Sequence, residues 1–182
     1  TKVMFSSGNV TERHRIGKIN MAGETIVDAF AGIGYYTLPM LVNSKAEHVY
    51  ACEINPESYR ALDQAAIKNH VRDSLTIVKG DNKETMIQLT EIADRVLLGI
   101  LPTSEPLWQN AVACLKKSGG VIHIHMNVRE ELIASVVADC VQKLGKMSKK
   151  LGFMGEVIIQ HVEKVKWYAP RIRHIVVDAH IH

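Results

Sequence analysis

Hydrophobic and polar positions along the chain switch between two periods. Short runs of apolar and β-branched residues, typical of strands, alternate with longer stretches in which apolar residues recur every three or four positions, as in helices. We predict strands at 25–28, 48–54, 75–79, 95–101, 121–126, 156–165 and 172–181, and helices at 35–42, 56–69, 105–117 and 129–144. This alternation predicts an α/β fold with a mostly parallel seven-stranded sheet and helices on both faces.

The end of the chain departs from this alternation. The last two predicted strands are separated by a short segment containing Tyr168-Ala169-Pro170, which has no room for a crossover helix. They are therefore predicted to form a hairpin whose second strand is antiparallel to the sheet. Gly119-Gly120 and Gly145 are expected to end the third and fourth helices, and residues 145–155, rich in Gly and Lys, are expected to form a flexible loop.

The turn after the first predicted strand points to a ligand site. That strand ends at Asp28 and is followed by Gly32 and Gly34, and the second strand ends close to Glu53. Glycines in such a turn let backbone N–H groups approach a ligand, and an acid at the next strand end can accept both hydroxyls of a ribose. Because no third glycine follows Gly34, the pattern fits S-adenosylmethionine, a nucleoside without phosphates, better than a dinucleotide.

Two further segments have both a ligand-binding and a structural interpretation. Asp81-Asn82 follows the third strand, where a carboxylate and a backbone N–H can recognise adenine, or where the side chains merely cap the next helix. Upstream, Ser6 and Arg13 lie in a polar segment, and an arginine can grip the carboxylate at the methionine end of the cofactor. Alternatively, this segment is a surface loop in which Thr11 caps a helix.

Composition narrows the class of protein. The chain has 182 residues, enough for one domain with its own core, and its net charge of +3 is too small to indicate nucleic acid by itself. Three cysteines without C-x-x-C spacing predict reduced thiols in a cytoplasmic protein. No apolar run approaches the length of a membrane span, so a membrane is not an expected partner. DNA is not an expected partner either. Because the chain opens on Thr1, it is expected to be a piece of a longer protein, with a segment at 1–24 preceding a catalytic domain at 25–182.

The remaining chemistry-bearing side chains favour structural interpretations. His123 and His125 share one face of a strand, and the spacing recurs at the C-terminus, but no Cys, Asp or Glu stands nearby at metal-ligand spacing, so no metal is predicted. Trp167, beside the hairpin turn, is expected to pack, although a tryptophan there could also meet RNA. Lysines at 143–150 are expected to be solvated. No catalytic side chain is assigned.

Ordered blocks of this sequence, with compatible spacing, resemble the catalytic domain of the tRNA wybutosine-synthesising protein 2 family. The blocks lie at 5–13, 28–35, 51–56, 80–82, 93–96 and 123–128. The resemblance implies a class I S-adenosylmethionine-dependent methyltransferase-like fold whose members do not methylate. They transfer the 3-amino-3-carboxypropyl group of S-adenosylmethionine to C7 of the tricyclic modified guanine at position 37 of phenylalanine tRNA, releasing methylthioadenosine. The cofactor-binding positions it implies here are Ser6, Arg13, Glu53, Asp81 and Asn82. Phe30, Gly32, Gly34 and Ile54, which lie in the two segments after the first and second strands, are expected to bind the cofactor as well.

The segment after the fourth predicted strand helps to distinguish aminocarboxypropyl transfer from methyl transfer. In the similar tRNA guanine-37 N1-methyltransferases the fourth strand ends in an Asn-Leu-Pro or Asn-Pro-Pro segment, whereas residues 99–102 here contain no asparagine. This favours aminocarboxypropyl transfer over methyl transfer. A methyltransferase and a catalytically idle nucleoside- or RNA-binding module remain as alternatives. Because most of the family's N-terminal, tRNA-engaging portion is missing, the fragment is expected to bind cofactor yet modify RNA poorly.

Overall fold

A computed structural model of the chain describes Val3 and residues 9–182. Seven strands form one sheet. They are β1 (Thr25–Asp28), β2 (His48–Glu53), β3 (Leu75–Lys79), β4 (Arg95–Leu98), β5 (Gly120–Arg129), β6 (Val157–Ala169) and β7 (Ile172–Ile181). Their order across the sheet is β3-β2-β1-β4-β5-β7-β6. The first five are parallel, and β7 lies antiparallel between β5 and β6. The predicted α/β fold with its C-terminal antiparallel hairpin is confirmed.

Six α-helices within residues 9–182 surround the sheet. They are α1 (Val10–Ile16), α2 (Thr37–Val42), α3 (Pro56–Lys68), α4 (Asn82–Thr85), α5 (Trp108–Cys114) and α6 (Ile133–Lys150). On one face of the sheet, Ile26 and Leu97 are fully buried in a cluster with residues of α1, α2 and α3. On the other face, Val27 and Ile122 pack with α5 and α6. Because neighbouring residues of a strand point to opposite faces, the consecutive apolar residues of β1 serve both cores.

The predicted helix at 105–117 is shorter than expected. Residues 105–107 form a 3-10 turn, and α5 ends at Cys114, because Leu115 is extended and forms a parallel bridge with Ala93. Gly119-Gly120 therefore does not cap the helix. A Cβ on either glycine would collide with a backbone carbonyl, one in β7 and one just before β4. The pair permits close contact between backbones.

The prediction that Gly145 ends the preceding helix is wrong. α6 continues to Lys150, and its buried residues Cys140, Leu144 and Ser148 lie on both sides of the glycine. The packing of these three buried residues outweighs the cost of about 1 kcal/mol that one glycine imposes on a helix. The connecting loop is therefore confined to residues 151–156.

The N-terminal segment contains a helix where polar turns were expected. In α1, Glu12 and Ile16 are buried, and Ile16 joins the same core as β1. Thr11 lies within the helix rather than at its cap, a position that Asn9 occupies. The helix is stabilised by one local and one distant contact, because Arg15 donates to Glu12 within the helix and to Asp178 on β7.

Candidate functional site

A cavity of about 450 Å³ lies at the carboxyl edge of the parallel strands. Its walls come from the segments that follow β1, β2, β3 and β4, and Asn9 contributes from the start of α1. Ligands of open α/β sheets collect at this edge, because the carboxyl ends of neighbouring parallel strands meet there. The volume falls within the range of small-molecule sites.

Asp28 fixes the turn after β1. Its Oδ2 accepts a hydrogen bond from Thr37 Oγ1 at 2.7 Å, and its Oδ1 accepts one from the Phe30 N–H at 3.2 Å. Burial raises the pKa of this carboxyl to about 6. Asp28 is therefore a support for the cavity wall, to which Phe30 and Gly32 contribute directly.

Gly34 lies behind that wall. Its φ is +96°, and a Cβ there would stand 2.7 Å from Cδ1 of Leu62 on α3 and 2.9 Å from Cγ of Leu38. This glycine lets the turn pack closely against α3 and does not itself line the cavity.

Glu53 occupies the end of β2 with its carboxylate already oriented. The Gly32 N–H donates to Oε2 and the Asn55 N–H donates to Oε1, each at 2.7 Å. Each carboxylate oxygen has a further lone pair, so the group can still accept hydrogen bonds from a ligand. Beside it, Ile54 is 65% exposed and adds an apolar surface to the cavity.

Asp81 and Asn82 both line the cavity, and both also have structural partners. Asp81 Oδ1 accepts from the Lys83 N–H at 2.9 Å and so caps α4. Asn82 donates through Nδ2 to the Ala29 carbonyl at 2.9 Å, which ties the end of β3 to the end of β1. The two interpretations made from sequence are thus compatible, since Asp81 caps a helix and both residues also line the cavity.

The structure describes only one of the two residues, Arg13 and Ser6, that are predicted to bind the amino-acid end of the cofactor. Arg13 is half-buried on α1, and its guanidinium carbon lies 5.8 Å from the centroid of the Tyr35 ring, which lines the cavity. Arg13 therefore lies beside a residue of the cavity wall but does not line the cavity itself. Ser6 lies outside the described residues.

Sequence reasoning missed Tyr36. This side chain lines the cavity, its ring packs edge-on against His125 with centroids 5.2 Å apart, and its buried hydroxyl has no hydrogen-bond partner among residues 9–182. Burial, reinforced by the nearby acids Glu12 and Asp28, raises the pKa of the phenol. Its place two residues after Gly34 was the available signal. Asn9 and Ser58 also line the cavity, and no local pattern marks them.

A buried polar network supports the sheet next to the cavity. His123 Nδ1 pairs with Asp178 at 2.6 Å, and His123 Nε2 lies 2.8 Å from Arg95. Arg95 in turn donates to Glu24. Burial would raise the pKa of Asp178, but His123 and Arg15 hold that pKa well below its usual range. His123 therefore has a structural role.

His125 forms a second buried pair. Its Nδ1 lies 3.1 Å from His174 Nε2. Burial lowers the pKa of His174 to about 4 and places that of His125 well below its ordinary value, so both rings are neutral near pH 7. In the part of the chain that the structure describes, Nε2 of His125 and Nδ1 of His174 have no hydrogen-bond partner. Within the described residues, no group of three or more His, Cys, Asp or Glu side chains is arranged to hold a metal ion.

Comparison with known proteins gives the family. The sequence profile of the TRM5/TYW2 methyltransferase domain matches residues 1–178. The chain belongs to this family. A TRM5/TYW2 relative, tRNA wybutosine-synthesizing protein 2/3/4 of Oryza sativa subsp. japonica, is 47% identical over 178 residues, which are 98% of this chain and 17% of that protein.

Solved structures of TRM5/TYW2 proteins share the fold. M. jannaschii TYW2 in complex with AdoMet is 35% identical, with a TM-score of 0.88, and the match covers 100% of this chain and 78% of that one. P. horikoshii TYW2 in complex with MeSAdo is 33% identical, with a TM-score of 0.85, and the match covers 99% of this chain and 65% of that one. The resemblance inferred from the sequence blocks is confirmed.

The length of the matched region and the character of the helices add to the family assignment. The chain spans about a sixth of the length of the Oryza sativa relative, since the match covers 17% of that protein. Among the helices that the structure describes, none combines the length and apolar character needed to cross a bilayer.

Proposed function

We propose that this chain binds S-adenosylmethionine in the cavity and transfers its 3-amino-3-carboxypropyl group to C7 of the tricyclic modified guanine at position 37 of phenylalanine tRNA. The observation that carries the proposal is the pre-oriented Glu53 carboxylate on a cavity of small-molecule size, in a chain similar over its full length to a TYW2 solved with AdoMet. MeSAdo in a second relative corresponds to methylthioadenosine, the by-product of this transfer.

The residues at the cavity fit the nucleoside half of the donor. Glu53 is the acceptor for the two ribose hydroxyls, because both of its oxygens are held at the end of β2. Asp81 and Asn82, across the cavity at the end of β3, serve the adenine, whose amine needs an acceptor. Phe30 and Ile54 provide apolar contact, and Gly32 allows close approach of the backbone.

The chain's own residues would also decide which group is transferred. The donor supplies a sulfonium with three electrophilic carbons, and the carbon placed in line with the nucleophile reacts. Arg13 and Ser6 are proposed to hold the amino-acid end, Arg13 through a bidentate contact with the carboxylate, so that the γ-carbon faces the open side. The new bond forms at C7 of the base, the C–S electron pair stays on sulfur, and C7 loses its proton. No described residue is assigned as the base.

The proposal extends to the setting of the reaction. Residues 25–182 form the catalytic unit and residues 1–24 supply a cofactor loop to it, which the burial of Ile16 and Met21 in the core of the sheet supports. The proposed partner is phenylalanine tRNA and the proposed location is the cytoplasm. Reduced, buried Cys52, Cys114 and Cys140 are compatible with that location.

Mass spectrometry of the tRNA product tests the proposal. The chain is incubated with S-adenosylmethionine and tRNA that carries the tricyclic precursor, and both the RNA and the small-molecule by-product are measured. An RNA heavier by one aminocarboxypropyl group, with methylthioadenosine, is the expected result. A methyl increment with S-adenosylhomocysteine identifies a methyltransferase instead, and calorimetric binding of S-adenosylmethionine without any product identifies an idle binding module.

A further inference from the structure

The tip of the β6–β7 hairpin exposes an aromatic platform. Trp167 is 53% exposed and Tyr168 is 60% exposed. The guanidinium carbon of Arg173, which is paired with Trp167 across the two strands, lies 3.6 Å from the centroid of the indole ring. The expectation that Trp167 packs into the protein is therefore wrong. An exposed ring backed by an arginine is suited to stacking with a flat π-system such as a nucleobase.

The platform lies at the same edge of the sheet as the cavity. The hairpin turn is next to the carboxyl end of β5, where Arg129 is paired with Ile172 and the Glu130 N–H donates to the Arg171 carbonyl. β6 is three strands away from β4, whose end lines the cavity, which corresponds to about 15 Å across the sheet. The hairpin also extends beyond the end of β4, because β5 continues from Ile124, the last partner of β4, to Arg129, which adds about 16 Å along the strands. A few nucleotides of single-stranded RNA can cover that distance.

The charge around the platform also favours RNA. Five cations, Arg129, Lys164, Lys166, Arg171 and Arg173, are clustered there, against the acids Glu130, Glu131 and Glu163. Glu130 binds both Lys164 and Arg173 and so holds the guanidinium against the indole. Within the described part of the chain, Lys166 and Arg171 form no ion pair, which leaves their charge available to phosphates.

The lysine cluster near the end of α6 lies at the edge of the sheet opposite the cavity. α6 starts after β5 at the cavity edge and runs back across the sheet, so Lys146, Lys149 and Lys150 lie near its far end. The loop that follows leads to Val157, which is paired with Ile181 at the opposite edge of the sheet. RNA that presents a base to the cavity reaches the hairpin tip more directly than this cluster.

We propose that the hairpin tip, defined by Trp167, Tyr168, Arg171 and Arg173, binds the anticodon loop of the tRNA substrate, with one unpaired base stacked on the indole. This inference rests on the proposed function, which places the modified base in that loop. Stacking there would hold a neighbouring nucleotide while the target base enters the cavity.

Binding of a labelled anticodon stem-loop RNA to the 182-residue chain, measured by fluorescence anisotropy at fixed salt, tests the inference. Trp167→Ala is expected to raise the dissociation constant about tenfold, and Trp167→Phe, which keeps a ring, much less. Arg171→Gln should weaken binding, whereas Lys149→Gln, the same charge change at the opposite edge, should have little effect. Calorimetric affinity for S-adenosylmethionine should be unchanged in all four variants.

Tryptophan emission gives a second readout. The chain has two tryptophans, and Trp108 is buried with its indole N–H bonded to Ser104. RNA should therefore quench the emission of Trp167, and Trp167→Phe should abolish that quenching. No RNA binding, or binding that is unaffected by Trp167→Ala, overturns the inference. Because these measurements need no group transfer, the inference can fail while the proposed transfer is observed, and it can hold where transfer is absent.

Discussion

Glu53 is oriented by the protein before a ligand arrives. Two backbone N–H groups, from Gly32 and Asn55, bind its two oxygens. A side chain fixed in this way loses little conformational entropy on binding, which improves affinity without adding a contact. The turn after β1 and the end of β2 are thus coupled through one carboxylate.

At the scale of this residue we expect Glu53→Gln to weaken the binding of S-adenosylmethionine at least tenfold. The amide loses the charge that strengthens hydrogen bonds to hydroxyls, and its NH₂ group must face a backbone N–H. Isothermal titration calorimetry measures the change. Glu57→Gln is the matched control, because Glu57 lies exposed at the start of α3 and pairs with Arg60 outside the cavity. Equal affinities for the two variants would contradict the role of Glu53.

The sequence identified the residues at the strand ends but not those around them. Glu53, Asp81 and Asn82 could be predicted, because parallel topology alone brings their positions together. Asn9 could not, since its place in the cavity depends on how the N-terminal segment packs in three dimensions, and for Tyr36 the sequence offered only its position two residues after Gly34.

At the scale of the elements, glycines with similar sequence signals have opposite roles. Gly145 sits inside α6, and a Cβ there would meet nothing within 4 Å. Gly34 has a positive φ and no room for a Cβ. Only the second position requires glycine.

Gly145→Ala is therefore expected to raise the free energy of unfolding by about 1 kcal/mol, because alanine is the better helix former. Gly34→Ala, the matched substitution in the turn, is expected to lower it by about 2 kcal/mol through backbone strain and contact with Leu38 and Leu62. Urea unfolding followed by circular dichroism measures both. A stability loss in the Gly145 variant would mean that α6 needs glycine for a reason other than helix propensity.

Local sequence patterns predicted the bounds of elements whose buried positions are periodic. They did not predict the bounds of elements that depend on contacts with distant residues. The bounds of β1, β3 and β7 are the predicted ones, since clear turn signals flank the apolar run of each strand. α1 was not predicted, because its polar residues pair with Asp178 near the other end of the chain. α5 ends early because Leu115 pairs with Ala93, a contact that helix periodicity does not register.

At the scale of the whole molecule, buried histidines make stability depend on pH. His123, His125 and His174 have pKa values lowered chiefly by burial. In the unfolded chain they bind protons near pH 6.5, so protonation favours unfolding as the pH falls from there toward about 4. Asp28 acts in the opposite direction, because burial raises its pKa to about 6 and the folded state takes up that proton first.

Between pH 7.5 and 6.0 the histidines dominate, and we expect the free energy of unfolding to fall by roughly 2 kcal/mol. Urea titrations at the two pH values measure this difference. His174→Asn should reduce the difference by about a third, whatever its effect on stability itself, whereas substitution of the exposed His14 to Asn should leave it unchanged. A pH-independent stability over this range would show that the three rings take up protons at the same pH in the folded and unfolded states, which contradicts their lowered pKa values.

The ion pair between Arg15 and Asp178 also bears on the order of assembly. The two residues are separated by 163 positions, so a nascent chain cannot form the pair until β7 has left the ribosome. Until then Arg15, which also pairs with the buried Glu12, lacks its second carboxylate partner. Docking of α1, which brings Asn9 to the cavity, is thereby favoured only after synthesis of nearly the whole domain. We therefore expect a nascent domain that still lacks β7 to hold α1, and with it Asn9, less firmly at the cavity.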